Sequence, residues 1–137
     1  MVIKLEAEAS SFRDTFGRVY YYNKKIIRTV NKIAKTNYEF IRDNQILSRS
    51  IENKYLIETA ELDKNKFENE FSDISYLLES KLVPHVSYPY EWSFEQLKAA
   101  ALHHLKFQLF LFDYNAVLRD ATAYNIQFVG SEPIFID

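Results

Sequence analysis

Three oxygen-bearing residues near the C-terminal end of the sequence have types and spacing suited to chemistry: Asp120, Asn125 five residues later, and Asp137. Two short β-like runs, NIQF at 125–128 and IFID at 134–137, flank a five-residue connection with one glycine. That is an ordinary hairpin length. A loop centred on residue 131 pairs Phe128 with Ile134 and Ile126 with Ile136, and so sets Asn125 opposite Asp137. Directly opposed residues hold their Cβ atoms roughly 5 Å apart. The open end of the hairpin would then offer oxygens to a hard divalent cation such as magnesium, with Asp120 in the loop that feeds it. The plainer alternative is that Asp120 and Asn125 cap a turn by bonding local backbone.

The order of helix, loop and hairpin around these residues resembles the kinase-like catalytic core. The resemblance implies that Asp120, within LRD, is the base that positions a substrate hydroxyl, and that Asn125 and Asp137 hold the metal. Leu118 stands where the kinase motif has histidine. Magnesium and ATP enter under this reading alone. The chain departs from the pattern in lacking a glycine-rich loop and a strand lysine that would pair with the phosphates. It also stops at Asp137, where a working core continues.

Glycine gives the firmest exclusion. There are two, Gly17 and Gly130, in 137 residues, against a typical share of about 7%. Phosphate-cradling loops need several close glycines so that backbone N–H groups can reach the ligand. Walker A, Rossmann and glycine-rich S-adenosylmethionine loops are therefore absent in standard form, and no cofactor is expected within this chain. Cysteine is absent too, which excludes disulfides, thiolate zinc sites and cysteine nucleophiles and points to a reducing compartment. No apolar run approaches the roughly 18 residues of a membrane span. MVIKLEAEAS places acidic residues where a signal peptide needs an apolar stretch. A cytoplasmic chain without a membrane partner is the simplest expectation.

Other residues invite weaker readings. YPYEW presents Tyr88, Tyr90, Glu91 and Trp92 as a possible ligand platform, since ring faces suit the apolar face of a pyranose. The alternative is core packing at a strand-to-helix junction, with Glu91 favoured near a helix N-terminus. Residues 18–35 hold Arg18, Lys24, Lys25, Arg28, Lys32 and Lys35 with no acidic residue, beside three tyrosines. Cations beside stacking surfaces suit single-stranded nucleic acid, or a hairpin edge protected by lysine. A pI near 5.9 and net charge of −2 argue against a nucleic-acid partner. The charge is uneven, with 11 Lys/Arg against 7 Asp/Glu in residues 1–60 and 6 against 12 in 61–137. His103 and His104 are adjacent on a helix and do not share a face that would chelate one metal.

The elements that must position these residues read as an α+β fold in one domain, 1–137, with a sheet-rich part, 1–92, and a helix plus catalytic-loop-like hairpin, 93–137. RVYYYNKKIIRTV is a hairpin with Asn23-Lys24 at its turn. The spacing of Ile33, Phe40, Leu47 and Ile51 predicts one helix from 31 to about 50. Residues 63–73 are a polar loop, and 74–79 and 82–88 are two strands joined tightly, the second irregular at Pro84. Ser93 with Gln96 forms a capping box for a helix to about Tyr114. Leu97, Ala100, Ala101, Leu105, Leu109 and Phe112 make one apolar face of it. Leu102, Phe107, Phe110 and Leu111 add apolar surface all round, so burial on several sides is expected.

SYPYEWSFEQLKAAAL and DATAYNIQFVGSEPIFID, with the earlier SFRD and GRVY, are similar to segments of a bacterial group, the nodulation-protein-like S-adenosylmethionine-dependent methyltransferases. The middle, 31–80, carries no matched motif. In that group the cofactor-binding domain lies further along. The resemblance therefore implies an N-terminal accessory domain that recognises a substrate or partner, with a downstream methyltransferase domain as its partner. The alternative is a kinase-like phosphotransferase, or its nucleotide-binding remnant.

Overall fold

The computed structural model describes residues 6–8, 14–67 and 73–137. Ser11 to Arg13 of the SFRD segment, and 68–72 of the polar loop, lie outside the described residues. Among the described residues the fold is α+β, with a small antiparallel sheet, three helices and a C-terminal hairpin. The chain divides into two compact units, one built from residues up to 44 with 58–82, the other from 45–57 with 83–137.

The first unit is a five-stranded sheet and one helix. Its strands are β1 (Glu6–Ala7), β2 (Val19–Tyr22), β3 (Lys25–Asn31), β4 (Thr59–Leu62) and β5 (Ile74–Lys81), in the order β1-β2-β3-β5-β4 with every pairing antiparallel. The expected first hairpin forms around Asn23 and Lys24, both at positive φ (46° and 60°), as a two-residue turn matched to strand twist requires. Ile27, Ile74 and Leu77 are buried together, with Tyr20, Tyr22, Leu62 and Phe67 packed on them. Helix α1 (Lys35–Asp43) is tied to the sheet by Tyr38, whose hydroxyl donates to Glu61 (3.0 Å), and by Glu39, which accepts from the Tyr76 hydroxyl (2.5 Å). The Arg42 guanidinium lies 5.0 Å from the Tyr76 ring centre and 3.2 Å from the Glu61 carboxylate.

Before β2 the chain continues against β3. The N–H of Asn31 donates to the Phe16 carbonyl and that of Thr29 to the Arg18 carbonyl, at 2.8 and 2.9 Å. Between them Gly17 comes so close that a Cβ there would lie 2.1 Å from the Thr29 carbonyl oxygen. Only glycine fits.

Two sequence expectations fail in this region. The single helix over 31–50 is interrupted: Lys32–Ala34 is a 3₁₀ turn, α1 ends at Asp43, and Gln45 turns left-handed (φ 60°) before α2 (Ile46–Glu52). The tight pair of strands at 74–79 and 82–88 is instead one strand, β5, followed by irregular chain. One partner of β5 is β4, whose TAEL sequence has weak strand propensity and gave no signal.

The second unit is built on α3 (Phe94–Phe112), which starts at the expected capping box: Ser93 Oγ accepts from the Gln96 N–H (3.3 Å) and Gln96 Oε1 from the Ser93 N–H (2.9 Å). The helix closes with Asn115 in the left-handed region and the Ala116 N–H donating to the Leu111 carbonyl, a Schellman arrangement. Its burial is one-sided. Ala100, Phe107 and Leu111 are buried, whereas Leu105, Leu109 and Phe112 are exposed. A helix apolar all round gives no stripe from which its inward face can be read. Strands β6 (Ile126–Val129) and β7 (Glu132–Phe135) form the C-terminal hairpin, and residues 55–57 run beside β7 in parallel. The Phe135 N–H donates to the Tyr55 carbonyl (3.0 Å) and the Ile57 N–H to the Phe135 carbonyl (2.8 Å).

The two glycines should respond differently to alanine. At Gly17 the added methyl must push the chain off β3, an overpacking cost of about 2–3 kcal/mol. At Gly130 the backbone is left-handed and nothing would lie within 4 Å of the methyl. Only the left-handed backbone penalty of about 1–2 kcal/mol then applies. Urea denaturation should rank Gly17→Ala below Gly130→Ala; the reverse order would contradict the close approach at Thr29.

Candidate functional site

The exposed aromatic surface of the second unit begins at one residue, Ser87. Its N–H donates to Gln127 Oε1 and its carbonyl accepts from Gln127 Nε2, both at 2.9 Å. Gln127 is 4% exposed, so these two bonds satisfy a buried amide. They also explain why 82–88 is not a strand: the backbone groups of Ser87 pair with a side chain rather than a neighbouring strand. The Ser87 hydroxyl accepts from the Trp92 indole N–H (2.9 Å), and the Trp92 ring stands edge-on to Phe128 at 5.1 Å.

These contacts join the YPYEW segment to the AYNIQF segment. Tyr88 and Tyr90 stack in parallel, 5.5 Å apart with 5° between planes, and Tyr124 lies 6.5 Å from Tyr88. Tyr90 is 75% exposed and Tyr124 57%. The proposed platform residues thus separate. Tyr88 and Tyr90 present ring surface, and Tyr124, which the sequence reading missed, completes it. Trp92 is buried. Glu91 accepts from the Tyr88 N–H (2.8 Å) and serves as a local cap. Tyr124 stands two residues before the first buried residue of a strand, a position that periodicity alone does not mark.

Beside this surface is a cleft of about 410 Å³. Its walls are Trp92, Leu97, Ala100, Ala101, Leu105 and Ile126. Ala123 and His104 complete them.

The register of the C-terminal hairpin differs from the one expected from the sequence. The hairpin loop has two residues, Gly130 and Ser131, rather than five. Gly130 takes a left-handed φ of 63°, which a tight turn needs at its first position. Val129 pairs with Glu132 and Ile126 with Phe135. Asn125 is therefore matched with Ile136, whose N–H donates to the Asn125 carbonyl (2.8 Å), and not with Asp137. A one-residue slip exchanges the faces of a strand. The Asn125 amide oxygen accepts from the Thr122 hydroxyl at 3.4 Å. Asp120 is exposed, at φ 49°, with Arg119 Nη2 3.5 Å away. Among the described residues no three His, Asp or Glu side chains are grouped to hold a metal ion.

Three of the six cations of the basic stretch are paired within the first unit. Lys25 pairs with Glu79 (2.6 Å), Lys32 with Asp73 (3.1 Å) and Lys35 with Glu39 (3.8 Å). Burial in the sheet lowers the Arg28 pKa to about 10. His103 and His104 both meet Phe135, one stacked at 5.8 Å and the other edge-on at 5.6 Å. His103 Nε2 donates to the Tyr55 carbonyl (3.0 Å), and the Tyr55 ring stacks on Phe107 at 5.0 Å.

This arrangement defines an α+β chain with an aromatic surface and an apolar cleft. The chain is 40% identical over 129 residues to Nodulation protein NoeA of Rhizobium meliloti (strain 1021). The similarity takes in 94% of this chain and 27% of that protein, so the chain spans about a quarter of the relative's length. It supports the nodulation-protein-like resemblance and extends it through the middle of the sequence, where no motif was recognised. No family model matches the chain, and no solved structure matches it. No helix among the described residues is long and apolar enough to cross a membrane.

His103 supplies a pH prediction. Burial, opposed by the bond to Tyr55, holds its pKa below the usual 6.5. An unfolded chain with its histidine near 6.5 binds more protons between that value and the lower folded one. Stability should therefore fall as pH drops through about 6.5, and the loss should level off below the folded pKa. Denaturation midpoints between pH 7.5 and 5 should show this slope, and His103→Gln should flatten it.

Proposed function

We propose that this chain is a non-catalytic recognition domain of a longer, methyltransferase-like protein, and that Tyr88, Tyr90 and Tyr124 form its ligand-facing surface. One observation carries the reading. Two motifs about 30 residues apart in sequence, YPYEW and AYNIQF, meet through Ser87 and Gln127 and leave stacked tyrosines exposed. Exposed ring faces with hydroxyl tips suit a pyranose, whose apolar face stacks while its hydroxyls hydrogen-bond. A carbohydrate is therefore the ligand class favoured. The similarity to about a quarter of NoeA is consistent with one part of a larger protein, and a downstream methyltransferase domain would be its partner. With only two glycines, both used structurally, the chain has no cofactor loop of its own and should not transfer methyl by itself.

A glycan array followed by calorimetry on its hits checks this reading. Tyr90→Ala and Tyr124→Ala should each weaken binding about tenfold, or about 1.4 kcal/mol, without unfolding, because both rings are exposed. An array with no carbohydrate retained, or methyl transfer by the chain alone, would sink the proposal.

The phosphotransferase alternative gains nothing from the hairpin register. Thermal unfolding with magnesium and ATP should be unchanged in both the wild type and Asn125→Ala. A ligand at about 100 times its dissociation constant adds roughly 2.7 kcal/mol; such a gain, lost in Asn125→Ala, would restore that reading.

A further inference from the structure

The cleft beside the tyrosines has a chemistry distinct from theirs. At about 410 Å³ it falls within the roughly 300–1,000 Å³ of small-molecule sites. No Asp, Glu, Lys or Arg lines it. Of its two polar side chains, Trp92 has its indole N–H committed to Ser87. The other, His104, makes no hydrogen bond among the described residues and is fixed by its edge-on contact with Phe135. An apolar cleft with one available polar group selects by the same logic as other ligand sites: the body by burial, the orientation by the single hydrogen bond. A charged ligand would find no countercharge in this lining.

We infer that this cleft binds an uncharged small molecule with a hydrocarbon body and one hydroxyl or carbonyl, which His104 orients. The inference shares a unit with the carbohydrate surface and rests on that recognition reading only in assigning both to ligand contact; the two fail separately.

Trp92, the one tryptophan of the chain, lines the cleft and reports its occupancy. The experiment is a fluorescence titration at pH 8 with 1-octanol and, for comparison, octanoate. The expected result is a saturable change in Trp92 emission, with the alcohol bound at least tenfold tighter than the carboxylate. Ala101→Leu should weaken 1-octanol binding at least tenfold. Ala101 is an exposed helix position where leucine is well tolerated, so circular dichroism should be unchanged and glycan binding retained. His104→Phe keeps an aromatic ring against Phe135 and removes the polar group; about a fivefold loss is expected. No saturable change, or identical titrations for the wild type and Ala101→Leu, overturns the inference. So does sedimentation showing a concentration-dependent dimer that Ala101→Leu disrupts, which would assign the cleft to a second copy of the chain. Loss of glycan binding in Tyr90→Ala with an unchanged octanol titration would leave the cleft standing by itself.

Discussion

Phe135 is the residue on which the second unit depends. Its side chain is fully buried. Both its backbone polar groups are paired with residues 55–57. Its ring meets His103, His104 and Phe107 on one side of α3. A single residue thus satisfies its backbone and fills the core at once. A buried ring of this size contributes a few kcal/mol by burial alone. More important is what it selects. By engaging the 103–104–107 side of a helix that is apolar all round, it leaves Leu105, Leu109 and Phe112 outside and sets His104 at the edge of the cleft.

Ser87 and Gln127 perform the corresponding task for the tyrosines. A side-chain amide that meets one residue's N–H and carbonyl together acts as a substitute strand. It holds an irregular segment in register with β6 without extending the sheet. The segment is then free to turn at Pro89 and present Tyr88 and Tyr90 outward, while Trp92 packs inward on Phe128. Buried amides of this kind tolerate little change, because loss of one partner leaves a desolvated polar group.

The first unit shows how cations and aromatics near one another can be structural. Arg42 lies against two tyrosine rings and two carboxylates, and hydrogen bonding to Asp43, Tyr76 and Glu61 holds its proton more firmly than usual. Lys25, Lys32 and Lys35 each have a carboxylate partner. Isolated exposed pairs of this type add little stability, yet they give half of the six cations in residues 18–35 a structural partner.

The sequence by itself determined what depends on near neighbours. The turn at Asn23-Lys24, the capping box of Ser93 and Gln96, the long helix and the C-terminal hairpin all follow from residues within a few positions of one another. Tertiary structure alone decided the rest. Choosing a two-residue over a five-residue loop is a local matter of Gly130, but its consequence, the matching of Asn125 with Ile136 rather than Asp137, is a register effect transmitted along the strand. Which face of α3 is buried depends on Tyr55 and Phe135, far from it in sequence. Whether Tyr88, Tyr90 and Trp92 point outward or inward depends on a glutamine 40 residues beyond Ser87. Local patterns specify turns, caps and helices because their hydrogen bonds close over short loops. Surfaces and clefts are made by side chains that only the folded chain brings together.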